Sequence, residues 1–450
     1  MMRWLALLAL LPAVAVAGER PVLTAAPVWT RDYSFLADPV KRTDRWDALR
    51  YIPLGGTSYL SLSGEARLRY EDFTRNPQLG LSGLPKDDYL LERLLLGADL
   101  HLGSHFRAFA QLGDHQVDGK MGVISPSDAS GVDLQQGFVE ALWQGGSVRV
   151  GRQEIVLGSQ RFFALRDGPN IRQSFDAVRY TGRFGHSDLT VFAAHPVAIG
   201  PKDFDDETNR AQGAGAIYLT TPLNRDISAD IYLFHFRRTA AKFAQGTASE
   251  RRESLGVRVF TTRPQPFDFN IEAVWQFGRF GQDDIRAWTF ASDFGWTFDT
   301  RFRPRLGMKA DITSGDHDLH DHALNTFNAL FPRGGYFTEN GIIGPSNLAD
   351  LQPSLTLVFS KTVSVNLGAE IDWRQTTADA IYRQPNVPFP NTAGRGGLYT
   401  GAQYFVTPTW QATPHVSLSV AAVYFQVSNT VKAAGGGDSV YGAAWASYRF

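Results

Sequence analysis

The most constraining feature of this chain is a period-two alternation of apolar and polar residues that recurs along most of its length. In Ser58 to Asp72, one face carries Leu60, Leu62, Ala66, Leu68 and Tyr70, and the other carries Ser61, Ser63, Glu65, Arg67, Arg69 and Glu71. Near 303–313, 363–374 and 415–425 the pattern repeats, as in Val365, Leu367, Ala369, Ile371 and Trp373 set against Asn366, Gly368, Glu370, Asp372 and Arg374. A strand that is apolar on one face and charged on the other stands between an apolar and an aqueous medium. Such runs lie near 58–72, 89–101, 106–117, 133–144, 147–155, 174–182, 187–195, 212–220 and 226–237. They continue near 252–262, 267–278, 285–297, 303–313, 349–360, 363–374, 397–406, 415–428 and 439–450. That is an even set of eighteen. The connections alternate as well: short at 145–146, 183–186, 221–225 and 263–266, and long at 74–88, 118–132, 156–173, 314–348 and 375–396. This parity predicts an all-β chain: a single antiparallel transmembrane β-barrel of about 18 strands, with short periplasmic turns and long extracellular loops.

The N-terminus sets the compartment. Met1-Met2-Arg3 is a short positive segment, Trp4 to Val14 is mostly apolar, and Ala15-Val16-Ala17 has the small-x-small pattern of a cleavage site. The apolar run is too short for a spanning helix and is expected to be a cleaved signal peptide over 1–17. Residues 18–57 show no alternation and are expected to be a periplasmic lead-in, either tucked toward the barrel mouth or disordered. The barrel then occupies 58–450. There is no cysteine, so stability must come from burial or a closed hydrogen-bonded ladder rather than disulfides. A net charge of -1 gives no reason to expect nucleic acid. With 31 Phe, 15 Tyr and 10 Trp the chain is aromatic-rich, as barrels with girdles at both membrane interfaces are. The last strand ends Ala444 to Phe450, with Phe450 and Tyr448 on one face; this resembles the signal read by the barrel-assembly machinery.

No nucleophile elbow, zinc helix, phosphate loop or dinucleotide fingerprint is present, so neither enzyme chemistry nor a cofactor is expected. A barrel of this size leaves a water-filled lumen. Inward positions carry Arg67, Arg69, Arg93, Arg107, Arg149, Arg179, Arg258, Arg303, Arg305, Lys309 and Arg374. Against them stand Glu65, Glu71, Asp99, Glu140, Asp268, Glu272, Asp293, Asp311, Glu370 and Asp372. Opposed rows of Arg and acid give a transverse field that suits carboxylated solutes; the plainer reading is a rigid, hydrated wall. A second group, Arg152, Arg161, Arg166 and Arg172, lies in and beside the loop after the fifth strand. It would approach a constriction if that loop folds inward. The tract Asp316, His317, Asp318, His320 and His322 is a weak candidate for a divalent cation.

Gly151-Arg152-Gln153-Glu154 and Phe175-Asp176-Ala177-Val178-Arg179 resemble the alginate export family of outer-membrane barrels. So do Thr326 to Gly334 and Gly344-Pro345-Ser346-Asn347-Leu348, and the likeness runs from about Tyr51 to Phe450. The resemblance implies an eighteen-stranded monomeric barrel embedded in outer-membrane lipid, whose best-known relatives pass an anionic polyuronate through an arginine-rich constriction. Arg152 and Arg179 are the family-matching arginines. The expected function is an outer-membrane channel for an anionic polysaccharide or carboxylate-bearing solute. A general diffusion porin is the alternative, and an outer-membrane enzyme comes third.

Overall fold

The computed structural model describes residues 20–450, and the expected signal peptide, 1–17, lies outside them. Eighteen strands form the wall: β1 (Ser58–Arg75), β2 (Asp87–Leu102), β3 (Phe106–Asp118), β4 (Ser130–Trp143), β5 (Gly146–Gln153) and β6 (Phe175–Phe184). They continue with β7 (Ser187–Ala198), β8 (Gln212–Pro222), β9 (Ile227–Phe243), β10 (Gly246–Thr261), β11 (Phe267–Phe280) and β12 (Asp283–Thr297). The last six are β13 (Arg305–Thr313), β14 (Leu348–Val358), β15 (Val363–Trp373), β16 (Tyr399–Gln411), β17 (Val416–Val427) and β18 (Ser439–Arg449). Each pairs antiparallel with the next, and β18 returns to β1 with Glu65 opposite Arg449, closing the ring.

Closure leaves a local signature at the seam. The Phe450 N–H donates to Gly64 O and Phe450 O accepts in return from Gly64 N–H, while the Phe450 ring lies directly over Gly64. A Cβ on residue 64 would sit 2.2 Å from that ring, so only glycine admits it. Around the ring the faces separate as the alternation requires. Leu68, Leu96, Val139, Val178, Ile217, Leu255, Trp275 and Leu306 are exposed on the outside, whereas Glu65, Arg67, Arg93, Glu140 and Arg258 are buried within. An apolar belt of this extent is stable against lipid and a liability in water.

All eighteen expected runs are strands, but two features of the connections depart from the reading. Residues 238–251, expected as a loop, extend β9 and β10, leaving a two-residue connection, Ala244-Gln245, on the extracellular side. β11 and β12 are joined there by Gly281-Gln282 alone. The tall β9–β10 hairpin is held by Phe243, which packs edge-on to Phe280 and against Tyr382 from the loop after β15. Arg303 also leaves the lumen row: Phe302 and Arg303 take left-handed φ values of 67° and 41° in the turn before β13.

The stretch before the barrel folds onto the periplasmic rim in three 3-10 turns and a short helix, α1 (Asp47–Arg50). Trp46 stacks on Phe450 at 4.2 Å, and both Trp46 Nε1 and Arg45 donate to the Tyr448 hydroxyl. Asp47 organises the segment by accepting from Arg20, Arg50 and the amides of Thr43 and Asp44. Burial opposes its charge, but the hydrogen bonds from Arg20, the Asp44 amide and Arg50, with the Arg20 charge, together outweigh it and hold the carboxyl well below the usual range.

Because lipid leaves no unpaired backbone in a closed ladder, unfolding must break the ring as a unit. The purified protein in detergent is expected to give a β-type circular dichroism spectrum and to migrate as a compact monomer until boiled. A helix-dominated spectrum would contradict this architecture.

Candidate functional site

The lumen is not an empty cylinder, because two extracellular loops turn into it and pair with each other. Residues 154–174 and 314–347 meet where Phe331 N–H donates to Phe162 O, Ala164 N–H to Phe331 O and Arg333 N–H to Gln160 O. The driving force is apolar. Phe162, Phe163 and Phe331 pack against the inward rings of Phe175, Phe192, Phe234 and Phe236, and Phe327 packs on Phe162, with centroids 5.0–5.9 Å apart. Edge-to-face contacts of this kind add to the area buried. One side of the barrel is therefore filled by an aromatic core. The sequence carried a signal for it, since β9 is apolar on both faces, with Ile231 and Leu233 outside and Tyr232, Phe234 and Phe236 inside.

The opposite edge of the first inward loop is pinned by charge. Glu65 on β1 accepts from Arg93 at 3.1 Å, Arg172 at 3.0 Å and Arg449 at 2.9 Å. Asp167 in the loop accepts from Arg93 at 2.6 Å and from Arg172 at 2.7 Å. Arg67 and Arg93 also donate to the carbonyls of Asp167 and Pro169, and Arg93 to that of Asn170. Elsewhere in the first loop, Arg161 joins Glu272 on β11 at 2.8 Å and the Tyr336 hydroxyl of the second loop at 3.0 Å. These guanidiniums weld loops to wall, with most of their donors already used.

Toward the periplasmic end a ladder crosses neighbouring strands: Asp99 on β2, Arg107 on β3, Glu140 on β4, Arg149 on β5 and Arg179 on β6. Arg107 bonds Asp99, and Arg149 bonds Glu140 at 2.8 Å. Trp29, from the segment before the barrel, covers this ladder. Arg149 lies 3.7 Å from its ring centroid, Arg179 lies 5.8 Å from it, and Arg107 donates to its carbonyl at 2.6 Å.

Other predicted residues are distributed as follows. Arg69 pairs with Glu71 and stacks on Trp445; Arg258 pairs with Asp230 at 2.6 Å; Arg305 pairs with Asp268 and Asp293. Arg166, Arg179 and Lys309 have no carboxylate within 4.0 Å among the described residues. Arg166 makes only a 3.5 Å contact to Gln173, and with Arg172 it lines a cavity of about 340 Å³ beside Ile171 and Val197. The Lys309 ammonium donates to Tyr336 O at 3.0 Å.

Besides Arg303, two expected lumen residues are elsewhere. Arg152 is opposite Asp176 and Gly137 on the outer face, bonds Asp176 at 3.0 Å, and donates to Asp206 O in the loop after β7. The strand alternation that turns Arg149 and Gln153 inward turns Arg152 out. Just before it, Gly151 has φ +129°, and a Cβ there would lie 2.3 Å from Gly137 O. Arg152 and Arg179 consequently share no constriction. Arg374 is not a wall residue either: it stands just past β15 and donates to the carbonyls of Thr377, Asp379, Thr392, Arg395 and Gly397, organising the extracellular loop 374–398.

The His/Asp tract does not converge. Asp316 is buried, where desolvation pushes its carboxyl up to about 6, and its Oδ1 accepts from Asp318 N–H and Asn325. His322 instead faces Asp283 at 3.3 Å. Among the described residues the one acidic or histidine trio with metal-compatible spacing is Asp133, Asp205 and Asp206, on the extracellular rim.

A family model described as alginate export matches residues 58–444. The chain belongs to the alginate export family. No curated protein matches it at a significant level. Solved structures similar to this alginate-export barrel include Pseudomonas aeruginosa OccK5 (OpdH), at 12% identity and a TM-score of 0.58, covering 87% of this chain and 98% of that one. A BenF-like porin from Pseudomonas fluorescens Pf-5 gives 10% identity and a TM-score of 0.60, with 87% and 98% covered. Pseudomonas aeruginosa OpdK with vanillate gives 11% and 0.58, with 86% and 98% covered. At such identities the likeness is one of fold. Together with the family it places this alginate-export barrel in the bacterial outer membrane as a channel.

Two outcomes follow from the geometry. Glu65→Gln leaves Arg93, Arg172 and Arg449 short of a shared counter-charge, and breaking one partner of a buried ion network costs about 3–5 kcal/mol. The thermal transition in detergent should fall accordingly. Trp29→Ala removes the ring over Arg149 and Arg179, and single-channel recordings should show a larger conductance than in the parent. An unchanged conductance would mean that Trp29 does not restrict the mouth.

Proposed function

We propose that this outer-membrane channel passes an anionic, carboxylate-bearing cargo, an alginate-like polysaccharide or a smaller acid, without chemistry, along the polar side of its lumen. One observation carries the reading. Most predicted lumen arginines are already spent on acids and carbonyls, whereas Arg166, Arg179 and Lys309 keep a positive charge with no carboxylate partner. They lie at different depths: Arg166 in the inward loop at the extracellular cavity, Lys309 at the middle of β13, and Arg179 beside Trp29 near the periplasmic mouth. A moving carboxylate meets one such group at a time, and each contact stays weak enough to release it. Arg67, Arg69, Arg93, Arg107, Arg149, Arg161, Arg172, Arg258 and Arg305 shape the polar wall around these positions. Residues 1–17 serve as the export signal and 18–57 as the lead-in, and the C-terminal strand is what the assembly machinery would read. Vanillate, named with one fold neighbour, is itself a small carboxylate.

The diffusion-porin reading is favoured by a different observation, the neutralisation of most lumen guanidiniums by acids. Planar-bilayer conductance separates the two. Uronate oligomers should block current more than neutral oligosaccharides of equal length, and the difference should fade as salt screens the charges. Arg179→Glu and Arg166→Glu should each lower anion preference and weaken that block. Equal block by both sugars, untouched by the substitutions, supports the diffusion porin.

A further inference from the structure

At the extracellular edge of the apolar belt, one stretch of the outer wall is basic. Three rows of outward side chains lie one above another across β9, β10, β11 and β12. In the first, Leu233, Leu255, Trp275 and Trp288 stand directly across from one another, all exposed. Two residues nearer the extracellular ends come His235, Glu253, Phe277 and Arg286. Two residues further again come Arg237, Arg251, Arg279 and Asp284. The first row belongs to the lipid-facing belt and carries the tryptophans that mark a membrane interface. The third therefore stands at the level of the lipid headgroups.

Like charges directly across a strand pair repel, and this row sets three guanidiniums side by side. Arg237 and Arg251 make no side-chain hydrogen bond and have no carboxylate within 4.0 Å among the described residues. Arg237 lies instead over Gly213 on β8, where a Cβ would come within 3.0 Å of its Nε. Arg279 and Arg286 share one carboxylate, Asp284, at 2.8 and 3.1 Å, and remain 64% and 68% exposed. Glu253 in the middle row is already held by His235 at 2.6 Å. Arginines of the lumen are treated differently: Arg93, Arg149, Arg161 and Arg258 each hold an acid at 3.1 Å or closer. The outer face of β1–β3 carries acids instead, with Asp72 opposite Asp88 and Asp114 opposite Leu94.

We propose that Arg237, Arg251, Arg279 and Arg286 form a binding surface for the phosphate groups of an anionic glycolipid in the outer leaflet of the membrane. The planar guanidinium fork matches phosphate oxygens bidentately. Neighbouring strands are about 4.8 Å apart, so adjacent long side chains close on one phosphate between them. A phosphate there also relieves the repulsion within the row. The acyl chains of the same lipid lie down the wall over Leu255 and Trp275, which makes a lipid, rather than a free phosphate, the ligand that engages both the basic row and the belt beneath it. The surface faces away from the lumen and is independent of what the channel carries.

The test is binding of diphosphoryl lipid A to the full chain in non-ionic detergent, read by native mass spectrometry. Divalent cations are stripped beforehand with chelator, so that none bridges lipid to Asp72 or Asp88. The same lipid without its phosphates is titrated in parallel, and inorganic phosphate serves as competitor. The wild type should bind lipid A saturably, bind the dephosphorylated lipid far more weakly, and keep lipid A against an equal concentration of inorganic phosphate. Arg251→Gln alone should weaken binding about fivefold, and the Arg237→Gln/Arg251→Gln/Arg279→Gln triple variant about a hundredfold. Compact migration before boiling and single-channel conductance should be unchanged in both, because these side chains touch neither the backbone ladder nor the lumen. Asp72→Asn/Asp88→Asn should leave binding as it is. Absence of saturable binding, equal binding of the two lipids, displacement by equimolar phosphate, or wild-type affinity in either arginine variant would overturn the proposal.

Discussion

Everything in this barrel depends on the requirement that each backbone amide and carbonyl at membrane depth find a partner within the protein. A sheet with two free edges cannot meet it, so β18 must return to β1. The meeting is reinforced where Phe450 exchanges backbone hydrogen bonds with Gly64 and lays its ring across the bare glycine. Once the ring is closed, strand alternation has no freedom left: even a one-residue slip would carry arginines into lipid and leucines into the lumen.

Closure leaves an interior too wide for wall side chains to fill, and the chain fills it with its own loops. On one side the contact is aromatic, with Phe162, Phe163 and Phe331 against rings of β6, β7 and β9. On the other it is ionic, with Glu65 and Asp167 sharing the guanidiniums of Arg93 and Arg172. These two kinds of contact divide the labour. Apolar packing excludes water and fixes the loops in place, while the ionic network keeps the remaining passage polar. An arginine within such a network is largely spent, so abundance of arginine is a poor guide to which charge a solute meets.

The periplasmic mouth is governed by a segment outside the ring. Residues 20–51 are anchored by Asp47 and by the Trp46–Phe450 stack, and they deliver Trp29 to the ladder of Arg107, Arg149 and Arg179. The anchor is attached to the last residue of the chain, so the barrel's two ends and its lead-in are tied at one place on the rim.

The number of strands, their direction and the face of nearly every wall residue were legible in the sequence, because period-two alternation is a local property that lipid on one side and water on the other enforce at each step. The same regularity even placed Arg152 outside, had it been followed through Gly151 instead of the motif. The tall β9–β10 hairpin was not legible, since residues 238–251 alternate poorly and owe their strand form to Phe243 packing on Phe280 and Tyr382. Nor could the sequence say which lumen charges are free. Arg67 meets the Asp167 carbonyl across 100 residues of chain, and Arg161 meets Glu272 across 111. Whether such partners meet depends on how each loop falls into the lumen. That depends on packing among distant rings, which only the closed tertiary structure decides.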